Sequence, residues 1–228
     1  MRKNQVTLMW PTYIGEFYNP KHDEIKKDLL KFFEDYKKNN ENSRKGGTVH
    51  SPDDGIEKKN YKIDQDLYMS KYDLHSEKNK TYQDLMSFIS QGFIEMASKA
   101  NETERKDLKF NKENLKVVIN DSWFIDYKKG GFVLPHTHPR CSWNCVYYVQ
   151  VGDDANPTNG STFFQKSRPE NHTNDFGSKY NEQTMLKLKP AEGKLVIWPQ
   201  YISHGSMPYE GDQNRIIVSA NAVIKNPQ

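Results

Sequence analysis

Three histidines and one arginine carry the chemistry of this chain. Pro135-His136-Thr137-His138-Pro139 precedes a distant Trp198-Pro199-Gln200-Tyr201-Ile202-Ser203-His204, and Arg215 opens the apolar run Ile216-Ile217-Val218. Side chains alternate along a strand, so His136 and His138 are expected to share one face. His204 on a neighbouring strand can complete a triangle with them. Neutral imidazole binds iron, copper, nickel and zinc. A facial triangle of ligands leaves positions open on an iron for substrates and oxygen. A His-X-His pair alone reads equally as a polar turn with two ordinary histidines. His204, after a buried-strand signature and a turn at Gly193, is what turns the pair into a metal site. His22, His50, His75 and His172 sit in polar contexts and are expected to be solvated.

Arg215 has two readings. On an edge strand it would keep its head in water. Inside a barrel its guanidinium would grip a carboxylate through two parallel hydrogen bonds. Its place after the third histidine favours the second. Tyr127 and Tyr148 each read as core tyrosines. Tyr147 and Tyr148 face opposite ways, so one points inward, and an inward phenol near Arg215 would share the carboxylate.

The elements that position these residues change character along the chain. A short strand, Val6 to Trp10, is broken by Pro11. A helix over Asp23 to Lys38 follows, with Ile25, Leu29, Phe32, Phe33 and Tyr36 at helical spacing. The polar stretch from Asn39 to Lys59 reads as a surface loop. A second helix spans Tyr82 to Ala100, with a capping-box-like start at Thr81 and Asp84 and an apolar face of Leu85, Phe88, Ile89, Phe93 and Met96. From Leu115 onward the runs are short and β-branched or aromatic: 115–119, 145–149, 161–164, 185–188, 194–198 and 215–219. Lys166 to Gln183 reads as a long loop. The expected fold from this pattern is mainly β with N-terminal helices, a sandwich or jelly roll with helices packed on one side. Residues 1–114 form a helical and strand portion integrated with a barrel core of residues 115–228, in one structural domain.

Composition sets the outer bounds. A chain of 228 residues suits one domain with an N-terminal extension. Mean hydropathy is low at −0.95, but four Trp, 13 Tyr and 11 Phe argue against disorder. A net charge of +3 from mixed acids and bases gives no sign of a nucleic-acid partner. Two cysteines, Cys141 and Cys145, make no disulfide framework. With neither an apolar leader nor a membrane span in the sequence, the expected location is cytoplasmic.

The segment from Tyr127 to His138, then Cys145 to Val149, then Trp198 to His204 and Arg215, resembles the iron(II)/2-oxoglutarate-dependent oxygenases, nearest to their prolyl-hydroxylase-like branch. More narrowly, Asp121-Ser122-Trp123, His136-Thr137-His138-Pro139, Val146-Tyr147-Tyr148-Val149, Gly193 to Pro199 and Arg215 to Asn221 are similar to a family of such oxygenases in bacteria and phages. The resemblance covers about the last hundred residues. It implies a double-stranded β-helix, that is, a jelly roll or cupin-like barrel, with His136 and His204 at iron(II); His138, on the same face as His136, is the expected third metal ligand. It implies Arg215 on the distal carboxylate of 2-oxoglutarate, with Tyr148, Tyr127, Asn144 and Ser219 as further cosubstrate contacts. Dioxygen would take the remaining position, and decarboxylation would give succinate and an oxidant that converts a C–H bond to a hydroxyl.

One position departs from the family. Most members carry Asp or Glu where His138 stands. Either His138 is the third ligand, which its alternation with His136 favours, or Asp153 or Asp154 reaches in. Two rival readings follow. A cupin-type three-histidine dioxygenase would need no keto acid, and would give Arg215 no task. A non-catalytic metal-binding jelly roll would give neither Arg215 nor Tyr148 a task. The substrate, a small molecule or a peptide, is not written in the sequence. Lys166, Arg168 and Lys179 would suit an anionic one.

Overall fold

The computed structural model describes residues 11–43, 67–152, 154–166, 176–181 and 183–227. In chain order these hold β1 (Gly15–Tyr18), α1 (His22–Asn39), β2 (Leu67–Met69), α2 (Lys80–Glu104), β3 (Lys116–Tyr127), β4 (Val133–His136), β5 (Trp143–Gln150), β6 (Thr162–Gln165), β7 (Met185–Leu188), β8 (Lys194–Pro199), β9 (His204–Ser206) and β10 (Arg215–Lys225). All strand pairings are antiparallel. A six-stranded sheet, ordered β1-β8-β5-β10-β3-β2, faces a four-stranded sheet, ordered β4-β9-β6-β7. This is the expected double-stranded β-helix.

The large sheet is buried on both faces, which explains why its strands read as near-continuous apolar runs. Phe124, Tyr147, Val149, Leu195, Ile197, Val218 and Ala220 turn outward, against the helices. Ile125, Tyr127, Val146, Tyr148, Val196, Trp198 and Ile217 turn inward, into the barrel. The pleat thus settles the Tyr147/Tyr148 question: Tyr148 is the inward phenol. Each side chain fully buried this way contributes about 1.5–3 kcal/mol.

The helices supply the lid of the outer core. On α1, Leu29, Phe33 and Tyr36 recur at helical spacing and are buried. Phe33 stacks on Phe124 of β3 with centroids 4.4 Å apart. On α2, Leu85, Ile89, Phe93 and Met96 form the buried stripe. Gly92 lets α2 come close to β8, since a Cβ there would lie 2.7 Å from Leu195 Cδ2.

Several expectations need correction. The N-cap of α2 is Asn79, whose side chain accepts from the Tyr82 N–H, so no Thr81/Asp84 capping box forms. The helix then runs past its expected end to Glu104. The short strand at 115–119 is the start of a twelve-residue strand, β3, because polar Asn120, Asp121 and Ser122 alternate within a paired ladder. Strands β1, β2, β4 and β9 have only three or four residues each, too short for periodicity to show. A 3-10 turn, Phe176–Asn181, interrupts the loop expected from 166 to 183. His22 is buried at 6% exposure, not solvated, and its Nδ1 lies 2.8 Å from the Tyr147 hydroxyl. His75 is half-buried. The expected strand 6–10, the loop from 44 to 59, His50, Arg168 and His172 lie outside the described residues.

Candidate metal and cosubstrate site

The small sheet brings the histidines together. In the β4–β9 pair His136 is registered directly opposite His204. His138 lies two residues past the end of β4, where its backbone N–H donates to the Gln200 carbonyl at 3.3 Å. One potential ligand atom from each ring falls within 4.8 Å of the others. His138 Nε2 and His204 Nε2 are 3.1 Å apart. Two nitrogens bound at right angles on a cation with bonds of about 2.1 Å would be separated by roughly 3 Å. The spacing therefore fits a shared metal ion.

The far edges of the rings are held by the backbone. His136 Nδ1 lies 2.8 Å from the Leu134 carbonyl, and His204 Nδ1 lies 3.0 Å from the Ile202 carbonyl. A carbonyl only accepts, so donation from His136 Nδ1 leaves its Nε2 with a lone pair to give. His204 Nδ1 is also 3.2 Å from the Trp198 indole nitrogen, whose N–H donates to it. Aromatic walls hold the ring planes. Trp123 stacks on His138 at 5.7 Å, and Trp198 sits edge-on to His204 at 4.6 Å.

No carboxylate belongs to this cluster among the described residues. Asp154 is exposed, and Asp153 lies outside the described residues. Asp121 lines the same cavity without joining the cluster. Burial, and then Asp121, push the nearby Cys141 thiol up to about 11, so no thiolate is on offer there at neutral pH.

Arg215 lies inside the barrel. It is 1% exposed, and its Nε, Nη1 and Nη2 have no hydrogen-bond partner among the described residues. Its guanidinium carbon stands 4.4 Å from the centre of the Tyr127 ring and 5.4 Å from that of Tyr148. These faces hold the cation but leave its five N–H donors unanswered. Gly160 makes room for it, at a φ of +64°, because a Cβ there would lie 2.9 Å from Arg215 Cδ. The Tyr148 hydroxyl donates to Thr162 Oγ1 at 2.7 Å, tying the two sheets together.

A buried charge that cannot deprotonate costs several kcal/mol unless it is paired. An anionic ligand with two parallel acceptors would answer it. The histidines and Arg215 open onto one cavity of about 510 Å³, also lined by Trp123, Tyr127, Thr162 and Ser219. A dicarboxylate bridging the metal cluster and the guanidinium fits this donor set.

Comparison with known proteins points the same way. Residues 121–221 match the model of the family described as "Putative 2OG-Fe(II) oxygenase". That match covers 101 of the 228 residues. The barrel is also similar to three solved structures. For the viral collagen prolyl hydroxylase of Paramecium Bursaria Chlorella virus-1, solved with 2-oxoglutarate, the TM-score is 0.52 at 10% identity, over 92% of this chain and 95% of the other. For a Pseudomonas putida prolyl-4-hydroxylase the values are 0.54, 11%, 92% and 91%. For HygX of Streptomyces hygroscopicus, with nickel, 2-oxoglutarate and hygromycin B bound, they are 0.53, 8%, 92% and 82%. At these identities the similarity is one of fold. No curated protein matches the sequence. The description of the matching family names iron(II) and 2-oxoglutarate, and the three-histidine cluster is a place that could hold a metal ion. No described helix is long and apolar enough to cross a membrane.

Trp123, Thr162 and Asn221 line the cavity without having been singled out in the sequence. The period-2 alternation of β3, β6 and β10 was the available signal. Asn144 (1% exposed) and Ser219 (8%) both sit on barrel strands.

Proposed function

We propose that this oxygenase hydroxylates an unactivated C–H bond of a small-molecule or peptide substrate. His136, His138 and His204 hold iron(II), and Arg215 anchors the distal carboxylate of 2-oxoglutarate. The supporting observation is the buried guanidinium, without a hydrogen-bond partner among the described residues, in the cavity that also holds the three imidazoles. The pair of sites has the polarity that a chelating keto acid requires.

Bound iron(II) with 2-oxoglutarate and dioxygen supplies an oxidant, and the balance is substrate, 2-oxoglutarate and O2 giving hydroxylated substrate, succinate and CO2. The chain's own residues do the positioning. Arg215 fixes one end of the cosubstrate, with Tyr127 and Tyr148 as its apolar walls. The Leu134 and Ile202 carbonyls orient His136 and His204. Trp123, Trp198 and Phe164 exclude water from the cluster, which strengthens each electrostatic contact inside.

Three neutral imidazoles leave the site one negative charge short of the usual two histidines and a carboxylate. This observation favours the rival three-histidine dioxygenase, which uses no keto acid. Succinate formation decides between them. Purified protein with iron(II), ascorbate and 2-oxoglutarate should release succinate slowly even without substrate. Release that is absent at every iron concentration, from protein that binds iron stoichiometrically, would overturn the proposal in favour of the rival.

A further inference from the structure

The guanidinium end of the cavity is backed by one loop. Segment 207–214 runs from β9 into Arg215 at the start of β10. The Tyr209 N–H donates to the Gly131 carbonyl at 3.0 Å, and the Gly130 N–H donates to the Tyr209 carbonyl at 2.6 Å. These bonds tie the loop to the turn that follows Tyr127. The Gly160 N–H donates to the Pro208 carbonyl at 3.0 Å, and the Met207 N–H to the Ser161 carbonyl at 2.9 Å. These tie it to the turn that precedes Thr162. Tyr127 and Gly160, which flank the arginine, are therefore anchored to the loop that carries Tyr209.

Tyr209 is fully buried, and its side chain meets three glycines. Its hydroxyl donates to the Gln213 carbonyl within the same loop. A Cβ at Gly152 or Gly211 would collide with that hydroxyl. A Cβ at Gly160 would lie 2.8 Å from Tyr209 Cδ2 and 2.9 Å from Arg215 Cδ. The edge of the tyrosine ring and the stem of the arginine therefore pack over the same bare face of Gly160. Arg215, Tyr127 and Thr162 line the cavity, and Tyr209 and Gly160 are not among the residues that do. Those two back the arginine and do not face the ligand space.

A dicarboxylate held at both ends is measured by the distance between its anchors. The histidine end is fixed by the β4–β9 register. The other end is a long side chain with a rotatable stem. The faces of Tyr127 and Tyr148 lie against the guanidinium, but a flat face does not stop it sliding. A filled volume behind the stem does, because an interior at crystal-like density does not yield by a methylene without cost. We propose that Tyr209 is the backstop of Arg215 and thereby sets the chain length of the keto diacid that the cavity accepts. It is a positioning residue for specificity, acting through Arg215 and not on the cosubstrate. The proposal rests on the oxygenase reading. With the ring in place, a diacid one methylene longer would drive the arginine stem into Tyr209, and one a methylene shorter would fall short of the guanidinium. With the ring removed, the stem can retreat and the longer acid fits.

The test compares oxaloacetate, 2-oxoglutarate and 2-oxoadipate, which differ by one methylene each, on the full chain with iron(II) under anaerobic conditions. Affinity is read from the visible absorption of the chelated keto acid. One methylene in a buried site is worth about tenfold or more in discrimination, so the parent should prefer 2-oxoglutarate to either neighbour by about that factor. Tyr209→Leu, which shortens the side chain behind the stem, should bring 2-oxoadipate within about threefold of 2-oxoglutarate. Oxaloacetate should stay disfavoured and iron binding unchanged. Tyr209→Phe, which keeps the ring, should retain the parent's order. A merely structural role would weaken all the acids alike. Such parallel weakening in Tyr209→Leu would overturn the proposal. So would a parent that binds 2-oxoadipate as tightly as 2-oxoglutarate, a result that decides even if Tyr209→Leu does not fold. Iron binding with no response to any of the acids would instead overturn the oxygenase reading itself.

Discussion

Replacing Arg215 by methionine should make the ligand-free protein more stable and the cosubstrate unable to stabilise it. The guanidinium is 1% exposed and, among the described residues, answered only by the faces of Tyr127 and Tyr148. Cation–π contact offsets about 2 kcal/mol of the burial cost, while the cost of a buried uncompensated ion is several. Exchange for an apolar side chain of similar volume should therefore gain about 1–3 kcal/mol. For 228 residues each kcal/mol moves Tm by about 2–4 °C, so the free variant should melt roughly 2–12 °C higher. The ligand response should reverse. A ligand at 100 times its Kd stabilises by about 2.7 kcal/mol, which should raise the parent's Tm by roughly 5–11 °C with 2-oxoglutarate. Losing the partner of a buried carboxylate costs about 3–5 kcal/mol, or roughly two to four decades of affinity, so the variant should show no shift. Thermal unfolding with manganese(II) in place of iron(II), with and without 2-oxoglutarate, measures both. A variant that melts lower than the parent, yet still responds fully to 2-oxoglutarate, would refute the reasoning and make Arg215 a structural residue.

Three further outcomes follow from the same geometry. His204→Ala removes one apex of the cluster and should drop bound iron below one equivalent per chain, measured by metal analysis after gel filtration; full retention would remove His204 from the ligand set. Gly160→Ala places a Cβ against Arg215 Cδ and Tyr209 at a left-handed φ, so it should weaken 2-oxoglutarate at least tenfold by calorimetry while iron stays bound; equal weakening of both would point to general misfolding. Desolvation lowers the His22 pKa below its ordinary 6.5, against the opposing pull of Glu192. The unfolded chain then takes up a proton that the folded chain refuses, so stability should fall as pH drops below about 6.5, by at most ~1.4 kcal/mol per pH unit. The difference between parent and His22→Gln, followed by urea unfolding from pH 7 to 5, isolates this slope, and a flat difference would contradict it.

The barrel was legible because its strands are short β-branched or aromatic runs between turn residues, and because His136, His204 and Arg215 sit at element boundaries that turns and apolar runs mark. Tyr148 was legible only as one of a pair, since alternation gives two faces but not which is inward. The packing of α1 and α2 on the Tyr147 side supplies that choice. His22 was misread because its neighbours in sequence are polar, whereas its neighbours in space are Tyr147 and Glu192, more than a hundred residues away. Trp123 and Asn221 reach one cavity only through the register of β3 and β10, a long-range property that no local pattern encodes. The Asn79 cap was hidden by a better-looking Thr81 two residues later.

The central claim is that one cavity holds iron(II) and a keto acid together, with Arg215 at the far carboxylate. An anaerobic titration with iron(II) and 2-oxoglutarate, following the weak visible charge-transfer absorption of a chelated keto acid, tests it most directly. The account predicts a band that requires both components, saturates at one equivalent of iron, and weakens sharply in Arg215→Met. Stoichiometric iron binding with no band at any 2-oxoglutarate concentration would contradict it.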